Sequence, residues 1–468
     1  MTILYPDDFF QHLKTLLNPL PEKVLIAVSG GRDSMVLAYL CANHSPDFEI
    51  PEFIAVTIDH DLREGSGREA VQVSQWCKDM GLDHHVLKWG HEEKNHQTGE
   101  KENSGIPTGL QARARAARYG LLIRAAAYHN CGAVLTAHSA TDQAETVMMR
   151  LARGSGPRGL SGIHPIRAVA AGAGASCSLV RPLLSVTRQD ITEFAHTHSI
   201  PYTDDTSNEN QDFERVRVRA LLKDIEHGNQ MMSANLLKTA KRCRRSGAMM
   251  AERINGQFKK IGGVFHATGA ISLDGTRLEL PDMDEMLARA VYAVGGGDHP
   301  PDERASGLCA QNALESGKAT LGGALFIKKE RRLWIVREPA AFFGRGKGKQ
   351  GACAQEQNLQ PGQARVWDRR FIIENLDPER TVHLVPSQNS NQSTLVEGPI
   401  EALQSLPAIC VSGECDPKKQ GDRGQGDRDM VGDNFQQNHG RGPGAYPAYI
   451  KVSSLLPERF EGHVIRFP

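Results

Sequence analysis

The chain has 468 residues, with 55 basic and 55 acidic side chains and a hydrophobic content of 40%. This length exceeds what one hydrophobic core usually organises, so we expect two or three domains. The formal net charge of zero means that a polyanionic partner must be met by local clusters of cations. No run approaches the roughly 20 apolar residues of a membrane span, and the N-terminal segment lacks the cations of a signal peptide, so we expect a cytoplasmic protein without membrane contact.

The first strong pattern is an apolar run at 23–28 that stops at Ser29, Gly30 and Gly31 and resumes with helical spacing after Asp33. It predicts a strand, a phosphate loop and a helix. Paired glycines let the backbone approach an oxyanion, and a helix N-terminus favours a bound anion. For a bare Gly-Gly pair, a turn that needs glycine only for its geometry is the simpler interpretation. No GxxxxGK[ST] pattern occurs, so the γ-phosphate chemistry of P-loop enzymes is not indicated.

Strand and helix patterns then alternate as far as residue 198. We predict strands at Phe53–Ile58, His84–Trp89, Ala133–Thr136 and Leu179–Leu184, and helices at Phe9–Leu17, Arg68–Met80, Leu110–Tyr128, Asp142–Arg153 and Thr187–His198. This alternation predicts an α/β fold with a doubly wound parallel sheet. In such sheets the ligand binds beyond the carboxyl ends of the strands, where the strand order reverses.

Polar segments follow two of these strands, at 59–63 and at 138–145. Asp142 and Glu145 are three residues apart in the first turn of a predicted helix, so they project together beside its N-terminus. Acids in this position often do no more than stabilise the helix dipole. Beside an ATP loop they can instead hold Mg²⁺ or the ammonium group of a substrate.

Six segments together resemble the tRNA(Ile)-lysidine synthase family, within the PP-loop ATP pyrophosphatases and their adenine nucleotide α-hydrolase-like fold. They are SGGRDS at 29–34, DHDLREGS at 59–66, LQARARAARY at 110–119, AHSATDQAETVMMRLARGSGPRGLSGI at 137–163, DDTSN at 204–208 and ERVRVR at 214–219. The first segment is shared by several PP-loop families, whereas the later ones in this order are specific to this one. The resemblance implies that ATP adenylylates the wobble cytidine of a CAU anticodon. The ε-amine of free lysine then displaces AMP to give lysidine.

The resemblance also implies roles for individual residues. It assigns ATP binding to the loop residues together with His60, Arg118 and His138, and lysine binding to Asp142 and Glu145. The loop residues are Ser29, Gly30, Gly31, Arg32, Asp33 and Ser34. Catalysis is assigned to Asp33 and Arg115 as well as to the two acids. The implied cofactors are ATP and Mg²⁺, the implied partners are L-lysine and tRNA(Ile) with a CAU anticodon, and a homodimer is left open.

Three positions depart from the family pattern. Thr141 stands where a second acid is common, and Val216 stands where asparagine is usual. Asp61 replaces a small residue after His60, and aspartate tolerates a left-handed backbone better than most residues.

Two basic segments follow, at 213–223 and at 238–245, and the second holds five cations without an acid. A solvated face is the usual explanation, but we favour contact with the tRNA backbone. Beyond residue 225 the alternation is lost. We predict helices at Met231–Phe258 and Asp284–Val294, a hairpin at Gly322–Arg337, and strands at Arg365–Ile373, Thr381–Val385 and His463–Phe467.

The expected domains are a PP-loop catalytic domain at 1–222, a mostly helical tRNA-binding domain at 223–340 and a β-containing region at 341–468. A segment near 412–444 is rich in Gly, Asp, Arg and Gln, and predicts a disordered insertion.

Two other functions remain as alternatives. A PP-loop enzyme that thiolates cytidine in tRNA generally needs paired cysteines, but the nine cysteines here are scattered singly and form no Cys-x-x-Cys pair. That spacing also argues against zinc, an iron–sulfur cluster or a disulfide framework. A non-catalytic tRNA-binding protein on a decayed scaffold is suggested by Thr141. The intact SGGRDS segment, His138, Asp142 and Glu145 argue against such decay.

Overall fold

The computed structural model describes residues 4–43, 50–59, 66–88, 110–170, 176–203, 214–228, 232–297, 299–343, 357–361, 364–368, 370–386, 399–402, 406–411 and 450–454. The chain divides into two compact units, with the division between Met249 and Met250. No helix among the described residues combines the length and the apolar character that a membrane crossing requires.

The first unit is a layered α/β structure. Its strands are β1 (Lys23–Ala27), β2 (Glu52–Asp59), β3 (Asp83–Lys88), β4 (Ala133–Leu135), β5 (Ile166–Ala170) and β6 (Ser176–Val180). Its helices are α1 (Pro6–Leu16), α2 (Arg32–Ala42), α3 (Ser66–Asp79), α4 (Leu110–Tyr128), α5 (Ala140–Ala152), α6 (Pro157–Leu160), α7 (Arg188–Thr197) and α8 (Glu214–Gly228). Helix α9 (Met232–Lys260) contributes residues to both units.

The sheet of the first unit has the strand order β3-β2-β1-β4-β6-β5. All neighbours pair in parallel except β5, which is antiparallel to β6. Val24 of β1 is in register with Phe53 on one side and with Ala133 on the other. The predicted doubly wound parallel sheet is confirmed, and its order reverses between β1 and β4, where ligands bind in such sheets.

Strand β1 is apolar throughout because both of its faces are covered. Val24 and Ile26 belong to the core that packs against α1, α2 and α7. Leu25 points to the other face, where it belongs to the core that includes Leu122 of α4. Alternate residues of a strand point to opposite faces, so a doubly covered strand needs apolar residues at every position.

Most predicted elements of this unit are found within a few residues of their expected ends. The strand predicted at Leu179–Leu184 instead runs from Ser176 to Val180, because the chain turns at the next residues and Pro182 has no N–H for a ladder. Strand β5 and the short helix α6 were not predicted, and the basic segment 213–223 proves to lie largely in helix α8.

The second unit contains three antiparallel sheets in its described residues. The first has the order β7-β8-β11-β10-β9, the second β12-β15-β16 and the third β13-β14-β17. The strands are β7 (Val264–Phe265), β8 (Ile271–Asp274), β9 (Lys318–Leu321), β10 (Ala324–Lys329), β11 (Arg332–Arg337), β12 (Gln357–Leu359), β13 (Ala364–Trp367), β14 (Phe371–Asn375), β15 (Val382–Pro386), β16 (Pro407–Val411) and β17 (Ile450–Ser454). The helices are α10 (Met283–Gly295), α11 (Glu303–Ser316) and α12 (Pro339–Phe343).

The hairpin predicted at Gly322–Arg337 is confirmed as β10 and β11, which close with Lys329 opposite Arg332. The prediction of one strand at Arg365–Ile373 is wrong, because β13 and β14 form a hairpin that turns at Asp368, where φ is 47°. The buried Asp368 carboxylate accepts hydrogen bonds from Arg337 and Arg370, which hold that turn. The strand expected at 463–467 and the insertion near 412–444 lie outside the described residues.

Candidate active site

The loop after β1 is held by its own hydroxyl groups. The Ser29 N–H donates to Ser34 Oγ at 3.1 Å, and Ser34 Oγ donates to the carbonyl oxygen of Gly31 at 2.8 Å. Gly31 is the N-cap of α2, and no side chain caps that helix. The Ser34 N–H donates to the carbonyl oxygen of Gly31 at 3.0 Å, so the N–H groups of Arg32 and Asp33 are the ones that the first turn offers to an anion.

Gly30 has a conformation that only glycine adopts easily. Its φ is +81°, and a Cβ atom there would lie 2.6 Å from Cγ2 of Val73. The carbonyl oxygen of Gly30 accepts hydrogen bonds from the N–H of Thr203 at 2.9 Å and from its hydroxyl at 3.2 Å. Thr203, 173 positions further along the chain, therefore holds the loop in place.

Arg32 and Asp33 begin α2. The Arg32 guanidinium lies 5.6 Å from the centre of the Tyr202 ring, and its Nε lies 3.7 Å from Asp33 Oδ1. Burial raises the pKa of Asp33, and the neighbouring Asp142 carboxylate raises it further, against the opposite effects of Arg188 and Arg32. The carboxylates of α2 and α5 therefore act on each other at the switch point of the sheet.

Asp142 and Glu145 project together from α5, as their spacing predicts, and two arginines of α8 neutralise them. Arg215 bridges the two acids, with Nη2 3.0 Å from Asp142 Oδ1 and Nε 2.8 Å from Glu145 Oε2. Arg219 Nε donates to the other oxygen of Glu145 at 2.6 Å. Glu145 is fully buried, whereas the Asp142 side chain is 22% exposed. Asp142 is therefore the acid that a substrate can reach.

Asp142 also caps its own helix. Its Oδ2 accepts hydrogen bonds from the Ser139 N–H at 2.8 Å and from the Ser139 hydroxyl at 3.1 Å. Burial acts to raise the pKa of Asp142, but Arg215, His138 and the bonds from Ser139 outweigh it, so the pKa is lowered. Burial likewise opposes the charged form of Arg219, but its bonds to Glu145 raise the pKa of that group. The two acids are thus matched by two guanidinium groups in one hydrogen-bonded cluster.

For the remaining predicted site residues the structure gives fewer contacts with the loop and the acids. His138 follows β4, with Nδ1 3.0 Å from Thr136 Oγ1, and it acts electrostatically on Asp142. Arg118 is exposed on α4. Arg115 belongs to the same helix, but its side chain lies outside the described part of the structure, as does the whole of His60.

The sequence did not reveal how the α8 arginines, Thr203 and Arg188 are used. Arg215 and Arg219 were predicted as tRNA contacts, and their bonds to the acids of α5 could not be read from a basic pattern alone. Thr203 has one signal in the sequence, because it directly precedes the DDTSN segment. Arg188, at the start of α7, acts electrostatically on Asp33 and carries no local signal of that role.

No cluster of three or more His, Cys, Asp or Glu side chains suited to a metal ion occurs in the described ranges. Mg²⁺ needs fewer protein ligands than that, since it is usually bound through one or two carboxylates together with substrate phosphates. Asp33 fits this role because burial, with the Asp142 carboxylate, raises its pKa, so a bound cation would favour its charged form. Burial raises the pKa of the thiols of Cys41, Cys77, Cys131, Cys177 and Cys309, so none of these is poised as a thiolate.

A family model of the PP-loop domain matches residues 7–225. With the sheet order and the loop described above, this match places the chain among the PP-loop enzymes that use ATP. A tRNA(Ile)-lysidine synthase from Methylobacterium nodulans is 34% identical over 350 residues, which cover 72% of this chain and 97% of the relative. One from Brucella melitensis biotype 2 is 30% identical, over 84% of this chain and 85% of the relative. The chain belongs to the tRNA(Ile)-lysidine synthase family, whose members are ligases that modify tRNA.

Among solved structures, the U34-tRNA thiolase NcsA from Methanococcus maripaludis, with its [4Fe-4S] cluster, is 18% identical. The similarity has a TM-score of 0.40 and covers 50% of this chain and 77% of that chain. Nothing about function follows from a likeness at this level.

Proposed function

We propose that this protein adenylylates the wobble cytidine of tRNA(Ile) with a CAU anticodon and then joins the ε-amine of free L-lysine to it. In the first step the cytidine oxygen bonds to the α-phosphorus of ATP and pyrophosphate leaves. In the second step the amine bonds to the ring carbon, the carbon–oxygen bond breaks and AMP leaves, while a base takes a proton from the amine. The observation that carries the proposal is the phosphate loop at the uncapped start of α2, together with the partly exposed Asp142 of α5, since the two helices follow the neighbouring strands β1 and β4.

The phosphate loop supports the first step. Gly30 and Gly31 present backbone rather than side chains, and the uncapped start of α2 offers N–H donors to the phosphates. We propose that Asp33 would hold Mg²⁺, which would offset the negative charge of the ATP phosphates. Arg118, His60 and His138 stay in the proposal as ATP-binding groups, and Arg115 stays as a catalytic group, on the strength of the family motifs.

The two acids of α5 divide the second step between them. Asp142 is partly exposed, so we propose that it meets the amine of lysine in place of Arg215. Glu145 has no exposed surface and is held by both arginines, so its proposed part is to position Arg215 and Arg219. Direct contact between Glu145 and lysine remains a prediction from the family motif. A cation that displaces Arg215 finds an ionised partner, because the pKa of Asp142 is lowered.

We propose that the residues beyond 222 supply tRNA contacts. The domain boundaries at 222 and 340 remain a prediction. Support comes from α9, where the side chains of Lys238, Lys241, Arg242 and Arg245 are exposed. They lie three or four residues apart, so they form one cationic stripe on the helix.

The test is incorporation of labelled lysine into unmodified tRNA(Ile) transcript with ATP and Mg²⁺, beside a methionine tRNA with the same anticodon. We expect label in the isoleucine tRNA alone. Release of pyrophosphate without incorporation of lysine would reject lysine as the nucleophile. Binding of tRNA without either product would favour the non-catalytic alternative.

A variant pair tests the role of Asp142. We expect Asp142→Asn to keep tRNA-dependent release of pyrophosphate in a single turnover while the KM for lysine rises at least tenfold, because a charged hydrogen bond is lost. Thr141→Ala in the same helical turn is the control, and its KM for lysine stays near the wild-type value. An unchanged KM in Asp142→Asn would reject the assignment.

A further inference from the structure

Three arginines of the first unit hold one loop that the proposed reaction does not use, and a fourth, Arg167, acts electrostatically on His164 of this loop. The loop runs from Gly159, in the last turn of α6, to His164, which directly follows the longest of the family motifs. Arg150 of α5 donates to the carbonyl oxygens of Gly159 and Gly162, at 2.7 and 3.0 Å. Arg244 of α9 donates to the carbonyl oxygens of Ser161 and Ile163, at 3.1 and 3.0 Å, and Arg181 donates to the carbonyl oxygen of His164 at 2.7 Å.

The bonds of Arg244 go to carbonyl oxygens rather than to carboxylates, so they hold the loop without cancelling the charge of this guanidinium. Arg244 has no carboxylate partner in the part of the chain that the structure describes, and its Nε is buried without an acceptor. Burial lowers the pKa of Arg244, as expected for a guanidinium without an opposite charge. A half-buried cation of this kind is stabilised by an anion that covers it.

His164 shows that the field at the loop is positive. Part of the residue stays exposed to solvent. Desolvation of its ring, together with Arg244, Arg150, Arg181 and Arg167, lowers the pKa of His164 to about 4. The charged groups that act most strongly on this ring are thus all arginines, and an anion at its surface meets a concentration of positive charge.

We propose that this cluster, His164 with the four arginines around it, binds a phosphodiester of the tRNA backbone. The proposal rests on the proposed function only in naming tRNA as the polyanion. The positions of two neighbouring groups favour an RNA strand over a free phosphate ion as the ligand. Lys241 lies one turn before Arg244 on the exposed side of α9, so cations continue beyond the cluster. Arg150 and Asp142 lie on one helix, about 12 Å apart along its axis, which is the axial rise of roughly four stacked nucleotides.

The test places a carboxylate in the cluster. We expect His164→Glu to raise the dissociation constant of unmodified tRNA(Ile) about tenfold, since the new carboxylate takes the place of one phosphate. In a plot of the logarithm of the binding constant against the logarithm of the salt concentration, the slope should become shallower by about 0.7 to 0.9, which is the contribution of one phosphate. The thermal midpoint should not fall, because the carboxylate lies among cations.

His164→Gln is the matched control, and it should bind tRNA within about twofold of wild type. Equal losses in the two variants would overturn the proposal, because charge would then not be the cause. Wild-type binding by His164→Glu would overturn it as well. Inorganic pyrophosphate is titrated in parallel. Weaker binding of pyrophosphate to His164→Glu, with tRNA binding unchanged, would assign the cluster to the released product and overturn the assignment to tRNA.

All of these titrations are made without ATP or lysine, so they do not depend on the reaction. If the wild-type protein failed to incorporate lysine, the proposed function would fall while the comparison of tRNA binding kept its meaning. If incorporation were normal and His164→Glu bound tRNA like wild type, only the assignment of the cluster would fall.

Discussion

The ion pairs of Glu145 make a quantitative prediction about stability. Glu145 is fully buried and accepts one bond from Arg219 and one from Arg215, so Arg219→Met leaves a buried carboxylate with half of its partners. Removal of one partner from a buried charge pair costs about 3–5 kcal/mol. Because the Arg219 side chain is 22% exposed and Arg215 remains, we expect the lower end of that range, about 3 kcal/mol.

The assay is thermal unfolding followed by far-ultraviolet circular dichroism. In a unit of roughly 250 residues each kcal/mol of lost stability lowers Tm by about 2–4 °C. Arg219→Met should therefore lower the Tm of the unit that contains Glu145 by about 6–12 °C. Arg217→Met is the matched control, since Arg217 is exposed on the same helix. We expect it to change stability by no more than about 0.5 kcal/mol.

A second change separates charge from packing. Glu145→Gln combined with Arg219→Met removes the buried carboxylate together with its partner, so the double variant should be more stable than Arg219→Met alone by about 1–3 kcal/mol. Equal shifts for Arg219→Met and Arg217→Met would refute the reasoning. A double variant no more stable than Arg219→Met would show that the loss comes from packing.

Three further predictions concern the loop and the titrating groups. Gly30→Ala should abolish tRNA-dependent formation of AMP, because φ at this position is +81° and the new Cβ would meet Val73. Gly81→Ala is the control, since its φ is +79° and no atom lies within 4 Å of the Cβ position. This variant should keep activity and lose only about 1–2 kcal/mol of stability. Asp33→Asn should abolish AMP formation yet raise Tm at pH 7, since the raised pKa of Asp33 makes stability fall as pH rises through its titration; a lower Tm would contradict this. Burial, aided by His85, lowers the pKa of His84 to about 4, so thermal scans should show stability falling from pH 6.5 towards 4, and less so in His84→Gln.

Local patterns were enough to predict the sheet and the phosphate loop. The apolar run of β1 is explained by burial on both faces, and Ser-Gly-Gly-x-Asp-Ser by a tight turn into an uncapped helix. Thr187 and Asp190, three residues apart, form a capping box at the start of the predicted helix α7. These features depend on residues within a few positions of one another, so sequence spacing carries the information.

Contacts over long separations were not predictable in this way. Thr203 donates to the carbonyl oxygen of Gly30 over a separation of 173 positions, and the phosphate loop itself does not indicate this partner. The strand expected at 365–373 divides at Asp368 because Arg337, 31 residues earlier, supplies the charge that holds the turn. No periodicity in either segment encodes such a partner.

The pairing of α5 with α8 shows what this limit means for the site. Two acids at helical spacing suggested an open position for a cation, yet Arg215 already fills it from 70 positions further along the chain. A substrate amine must therefore compete with a guanidinium for Asp142, and its advantage is only the difference between two charged hydrogen bonds. Because Glu145 keeps both arginines near, the displaced Arg215 stays beside the site instead of leaving a bare carboxylate. The motif predicts that Asp142 and Glu145 project together, whereas their pairing with Arg215 and Arg219 follows only from the folded chain.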